Sequence, residues 1–179
     1  GAFAELYVEE RTSTQIRLDD GKIEELTTGL DRGAGVRVAR GTSFGYAFSN
    51  RLDRDALLAA AQAAAASLEG EPGGVVDLRE LDPPVVHEAA EPAGSVPPEA
   101  KVAWLREVDE VARGASPYVR QVTASYGDSL QRVLIATSDG RLARETRPRI
   151  RLVVQVVAAR DGVIQTGFHG PAGLAGVEF

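Results

Sequence analysis

Gly33-Ala34-Gly35-Val36-Arg37-Val38-Ala39-Arg40-Gly41-Thr42-Ser43-Phe44-Gly45-Tyr46-Ala47-Phe48-Ser49-Asn50 is the stretch whose reading decides the fold. Val36 and Val38 alternate with polar neighbours, and so do Phe44, Tyr46 and Phe48. That period of two is the signature of strands with one face buried. Gly41 lies between the two runs and joins them. The other glycines fall where a side chain would obstruct a neighbour or a turn.

Working outward, the residues before this stretch extend the meander. Leu6 and Val8, then Ile16 and Leu18, keep the same period. Asp20-Gly21 predicts a type I′ hairpin turn, because both central residues need positive φ and glycine takes it without steric cost. Ile23 to Thr28 returns as a second strand, which makes Val36–Val38 a third and Phe44–Phe48 a fourth. After Asn50 the period becomes helical. Leu57, Ala61, Ala64, Ala65 and Leu68 recur at helical spacing, with Asn50 or Asp53 as N-cap. The alanine run 59–66 has high helix propensity and small side chains, which suits close packing on a sheet.

Residues 70–98 hold six of the nine prolines and most of an acidic excess, so they read as an extended connector. A helix then starts at Pro97 or Pro98, where a missing N–H costs little. Val102, Leu105, Val108 and Ala112 form its apolar stripe, and Gly114 is its expected C′ residue. Val119 and Val122 mark one further strand, and Val133 and Ile135 another. Asp139-Gly140 leads into a long strand carrying Ile150, Leu152, Val154, Val156 and Ala158 on one face. Val153 and Val157 make its other face partly apolar, the pattern of a central strand. Asp161-Gly162 turns into a last one. The expected layout is strands, helix, linker, helix, strands: an α+β fold with mostly antiparallel sheet and two main helices. It divides into residues 1–69, the linker 70–98, and 99–179.

Composition bounds the chemistry. The 179 residues are 44% hydrophobic and 26% charged, with a mean hydropathy of −0.13. No apolar run approaches the roughly 20 residues of a membrane helix. There is no cysteine, hence no disulfide and no thiolate nucleophile, which fits a cytoplasmic location. The net charge of −6 and pI near 5.0 argue against non-specific nucleic-acid binding. Methionine is also absent, and the chain opens directly into a strand pattern, so it reads as part of a longer protein.

His87 and His169 are the two imidazoles, and neither has a partner at metal-ligand spacing. They read as loop residues. The tail from Gly167 to Gly176 lacks the Gly-Lys-Ser/Thr ending of a phosphate loop and reads as a flexible exit. Gly33-Ala-Gly35 lacks the third glycine of a dinucleotide fingerprint. No Gly-x-Ser-x-Gly elbow is present. The remaining candidates are Arg147, Arg149 and Arg151, which alternate and therefore project from one strand face. Like charges so spaced need compensation, whether from the acidic linker, a partner protein, a substrate carboxylate or a phosphate backbone.

The set of elements resembles the amino-terminal region of the TldD/PmbA family, the zinc metalloproteases also called modulators of DNA gyrase. The residues that carry the likeness are Ala4–Val8, Leu18–Glu25, Asp31–Val38 with Phe44-Gly-Tyr-Ala47, and Ala136–Ala143 leading into Arg147-Pro-Arg-Ile-Arg-Leu152. Gly-x-Gly-Val-Arg and Arg-Pro-x-x-Arg look more like the TldD branch. The family's His-Glu-x-x-x-His metal motif does not occur here, so no catalytic, cofactor or metal residue carries over. The resemblance implies a non-catalytic domain, inactive alone, of a protein that uses zinc elsewhere. It also implies a wall of the chamber holding an unfolded peptide, and a part in pairing with the same or another family member. The alternative is a stand-alone module whose arginine strand holds an acidic protein or nucleic acid.

Overall fold

The computed structural model of the chain describes residues 2–66, 68, 74, 76–82 and 88–179. Along it run β1 (Ala2–Asp19), β2 (Lys22–Arg40), β3 (Ser43–Ser49), α1 (Arg54–Ala66), β4 (Arg79–Glu80), α2 (Pro98–Gly114), β5 (Val119–Thr137), β6 (Arg141–Arg160), β7 (Val163–His169) and β8 (Ala172–Gly173). The strands are ordered β3-β2-β1-β5-β6-β4, and β7 and β8 also pair with β6. β7 and β8 run antiparallel to β6, whereas the short β4 runs parallel to it. This is the expected α+β class, with two α-helices and a mostly antiparallel eight-stranded sheet among the described residues.

Two strands are longer than the sequence reading made them. Its second and third strands are one continuous β2, in which Gly29 and Gly33 have no positive φ and make no turn. They are sites of close approach instead: a methyl on Gly29 would stand 3.3 Å from Ser13 Oγ, and one on Gly33 3.1 Å from the Ser49 carbonyl oxygen. Likewise Val119–Val122 and Val133–Ile135 belong to a single β5. The hairpin turns fall where expected. Asp20 and Gly21 have φ of 50° and 79°, and Asp161 and Gly162 have 52° and 81°, the left-handed pair that a type I′ turn requires.

By contacts the residues form two compact units, each assembled from three stretches of chain. The first holds Gly1–Arg11, Leu30–Val86 and Gln131–Thr146. Here α1 begins at Asp53, whose Oδ1 accepts a hydrogen bond from the Ala56 N–H at 3.1 Å. That bond lowers the Asp53 pKa, as an N-cap carboxylate should. Ala60 and Ala64 are the buried face of α1 and pack with Val36, alongside Leu6, Val38 and Ala47. Part of the proline-rich connector contributes β4, held by Arg79 N–H to the Gly140 carbonyl and Leu81 N–H to the Leu142 carbonyl, each at 2.7 Å. His87 and the stretch 83–87 lie outside the described residues.

The second unit holds Thr12–Gly29, His87–Leu130 and Arg147–Phe179. α2 lays Leu105 on Ile16, Leu18, Ala124, Tyr126 and Ile150, with Val102, Trp104 and Val108 beside it. Gly114 is the last helical residue rather than a left-handed C′. Ala115 follows in the right-handed region, so the end is stopped without a positive φ. The glycine-rich tail is folded, not a flexible exit. β8 pairs with β6, the Val177 N–H donates to the Glu91 carbonyl at 2.9 Å, and Val177 packs against the core. Gly176 lies so close to the Glu91 carbonyl oxygen that no side chain fits there.

Candidate functional site

In the second unit the strand alternation separates two surfaces. Thr14, Ile16 and Leu18 of β1, Val122, Ala124 and Tyr126 of β5, and Pro148 and Ile150 of β6 are buried. The residues between them face the other way: Gln15 and Arg17, Gln121, Thr123 and Ser125, then Arg147, Arg149 and Arg151. Hydrogen bonds tie this face together. Gln121 Nε2 and Thr123 Oγ1 donate to Asp19 Oδ1 at 3.0 and 2.9 Å, and Arg17 approaches Asp19 at 3.8 Å. The bond from Gln121, then that from Thr123, holds the Asp19 carboxyl below the ordinary range. Amides, hydroxyls and charges make this a hydrated sheet surface, rich in groups that can bond to main chain.

Arg147 is half-buried, and Arg149 and Arg151 are exposed. Among the described residues Arg149 and Arg151 make no ion pair. The linker carboxylate Glu80 compensates Arg144 instead, and Asp139 lies 3.2 Å from Arg141. The acidic linker therefore offsets part of the arginine run, upstream of the three that share a face.

Among the described residues the first unit also has a sheet surface that no helix covers. Opposite the Val36 and Ala47 pair under α1, the register places Arg37 beside Tyr46, Gly35 beside Phe48 and Ala39 beside Phe44. Phe44, Tyr46 and Phe48 are 70%, 61% and 79% exposed, on a strand whose one sheet neighbour is β2. From β1, Glu5 lies 3.6 Å from Arg37, and Glu9 Oε2 accepts hydrogen bonds from the Tyr7 hydroxyl at 2.7 Å and Gln131 Nε2 at 2.9 Å. An open trough of about 350 Å³ runs between Tyr7 and Glu9 on one side and Tyr46 and Phe48 on the other. The sequence reading did not select Tyr7 or Glu9. Their period-two spacing opposite Leu6 and Val8 carried the signal, whereas nothing local pointed to Gln131.

The described residues do not fit a protein-held metal. Among the described residues no three His, Cys, Asp or Glu side chains come together as ligands. His169 ends β7 with its side chain exposed. No helix among the described residues is long and apolar enough to cross a membrane.

These features define an α+β domain with helix-free sheet faces and no metal cluster of its own among the described residues. Residues 4–68 match the PmbA/TldA metallopeptidase domain 1, and residues 91–179 match the PmbA/TldA metallopeptidase central domain. The chain belongs to the TldD/PmbA family, as its amino-terminal portion. It is 29% identical over 180 residues to the metalloprotease TldD homolog of Haemophilus influenzae, covering 99% of this chain and 37% of that protein. It is 30% identical over 170 residues to a Synechocystis metalloprotease, covering 92% and 36%. The chain thus spans little more than a third of the length of these curated relatives. Among solved structures, a Thermotoga maritima protein described as a candidate modulator of DNA gyrase superposes with a TM-score of 0.80 at 14% identity, over 98% of this chain and 40% of that one. TldE from Thermococcus kodakarensis gives 0.71 at 18% identity, over 96% and 40%. At such identities these two share the fold. The family names carry a metal-dependent peptidase activity.

Proposed function

We propose that this chain is the non-catalytic amino-terminal part of a TldD-like zinc metallopeptidase, forming the wall along which an unfolded peptide substrate lies and contributing to assembly with another family subunit. The observation that carries the reading is the helix-free face of the second unit. Its Gln15, Gln121, Thr123 and Ser125 offer hydrogen bonds that do not depend on a peptide's sequence, and Arg149 and Arg151 add attraction for acidic groups or a terminal carboxylate. Free sheet edges supply the same kind of sequence-independent bonding through main chain. Zinc and peptide hydrolysis belong to the rest of a family-length protein, and the working location is the cytoplasm.

Site-specific photo-crosslinking tests the wall. Benzoylphenylalanine placed at Ser125 should capture a labelled unfolded peptide, whereas the same group at Glu107, on the exposed side of α2, should not. Equal capture from both positions would overturn the assignment of this face. The chain alone should neither retain zinc through dialysis nor cleave casein; cleavage by purified chain would overturn the non-catalytic role.

The exposed Arg149 and Arg151 also favour a second reading, an acidic protein or nucleic acid as ligand. Titration with duplex DNA over a salt series decides it, because several phosphate contacts give a steep loss of affinity with salt. A flat response removes the nucleic-acid version.

A further inference from the structure

We infer that the outer edge of β7 is a contact between two copies of this chain, paired antiparallel about a twofold axis through Thr166. The inference rests on the reading that this chain takes part in assembly, and it names the strand that does so.

β7 is exposed at every residue. Among the described residues β6 is the one strand that pairs with it. The edge strand β3 differs, because its Ala47 packs under α1 and one of its faces is covered. β7 is bare on both faces. Sheet edges that stay unpaired are normally guarded by charge, proline, a bulge or a short length. Val163-Ile-Gln-Thr-Gly-Phe-His169 carries no charge and no proline, and its register with β6 runs unbroken from end to end. Val163, Ile164 and Phe168 are 60%, 70% and 67% exposed. Such an edge is built to be paired.

The main chain selects the partner. The Asp161-Gly162 turn, with both φ positive, closes on Arg160 and Val163 as a hydrogen-bonded pair. Alternation along an antiparallel ladder then turns the N–H and C=O groups of Ile164, Thr166 and Phe168 away from β6. These residues lie symmetrically about Thr166. A second β7 laid antiparallel, Thr166 opposite Thr166, pairs Ile164 with Phe168 twice and satisfies each of those groups. The side chains agree with this register. Ile164 meets the Phe168 ring on one face, an apolar cross-strand pair repeated by the axis. On the other face Gln165 stands opposite Gly167, where there is open space, and Val163 opposite His169.

Charge stays off the contact, although the chain carries −6. The first charged groups beyond the strand's start are Arg160 and Asp161, an ion pair at 3.2 Å. The register sets them against the uncharged Ala172 and Pro171 of the second copy. A strand of this length buries less than the about 1,200 Å² of a standard interface. The dimer is therefore weak, dissociating at about 10–100 μM.

Sedimentation velocity of the chain between about 2 and 300 μM should show monomer giving way to dimer. Thr166→Lys sets like charges opposite each other across the axis and should weaken the dimer about tenfold, as should Thr166→Glu. An equimolar mixture of the two variants should recover it. Because the chain has no cysteine, Thr166→Cys gives a single thiol whose Cα lies about 5.5 Å from its twin, within disulfide reach. Diamide should crosslink it about tenfold faster than Val163→Cys, whose twin lies about 20 Å away. Circular dichroism and urea midpoints check folding, and the near-isosteric Thr166→Cys carries the test if the charged variants do not fold. A dimer that survives both Thr166→Lys and Thr166→Glu overturns the β7 contact and leaves assembly standing. Equal crosslinking at positions 163 and 166 overturns the register. Polymers that lengthen with concentration mean open-ended pairing, β7 on β3, and overturn the twofold contact. A monomer at every concentration overturns the second copy and this chain's share in assembly together, while the peptide wall stands or falls with capture at Ser125.

Discussion

Lys101 is 1% exposed, on a helix whose apolar stripe the sequence placed at Val102, Leu105, Val108 and Ala112. Its Nζ lies 2.6 Å from Asp128 Oδ2, 3.4 Å from Thr14 Oγ1 and 5.4 Å from the centre of the Tyr126 ring. Burial, with the Asp128 carboxylate nearby, pushes the Tyr126 phenol far above its ordinary range, so it stays neutral. Removing one partner of a buried pair strands the other charge. Lys101→Met should therefore destabilise the chain by about 3 kcal/mol, read from urea unfolding, and adding Asp128→Leu should recover most of the loss. A second residue-scale device is Glu178, whose carboxylate accepts the N–H groups of Gly176, Glu91 and Ala90 at 2.9, 3.0 and 3.1 Å. Those bonds, that of Gly176 first, hold its pKa below the ordinary 4.5. A carboxylate with a depressed folded-state pKa stabilises above its unfolded value and loses that contribution as pH falls through the folded one. The amide NMR shifts of Ala90, Glu91 and Gly176 should thus titrate together below pH 4.5. In Glu178→Gln they should sit near their low-pH positions throughout.

At the scale of elements, α1 lies close to the sheet because its buried face is alanine. Ala64 is 1% exposed, so Ala64→Leu should overpack the contact and cost about 1–3 kcal/mol, measurable as a lower urea midpoint. The β6–β7 hairpin offers a paired comparison. Gly162 has φ +81° and Gly167 an extended backbone with open space beside it. Gly162→Ala should cost about 1–2 kcal/mol, while Gly167→Ala should be neutral or slightly stabilising through the unfolded chain; thermal denaturation of the two variants separates them. These elements also mark what a sequence makes legible. Asp20-Gly21 and Asp161-Gly162 announced their turns because a positive φ has few residue solutions. Gly33 was legible as a place where a side chain would obstruct, but only the strand across the sheet shows that the obstacle is the Ser49 carbonyl. The arginine row was legible as one face from its period alone. The Glu9–Gln131 bond, between residues 122 apart, was not, since no local pattern encodes a pairing set by the order β1-β5.

For the molecule as a whole, the long strands join stretches remote in sequence. β1 lies between β2 and β5, and the Ala4 N–H donates to Ser138 Oγ across 134 residues. Topologies dominated by non-local pairing fold slowly, in milliseconds to seconds. Stopped-flow refolding from urea should show a main phase in that range, and Ile16→Val should chiefly speed unfolding if β1 docks late. The order of β1 and β5 along the chain has a consequence for biosynthesis. At about 5–20 residues per second, the ribosome finishes β1 roughly 5–20 s before it begins β5. During that interval the nascent strand holds one edge of ladder donors and acceptors exposed to any passing chain. Until its partner emerges that edge is open to mispairing, so the strand order carries an aggregation hazard during synthesis.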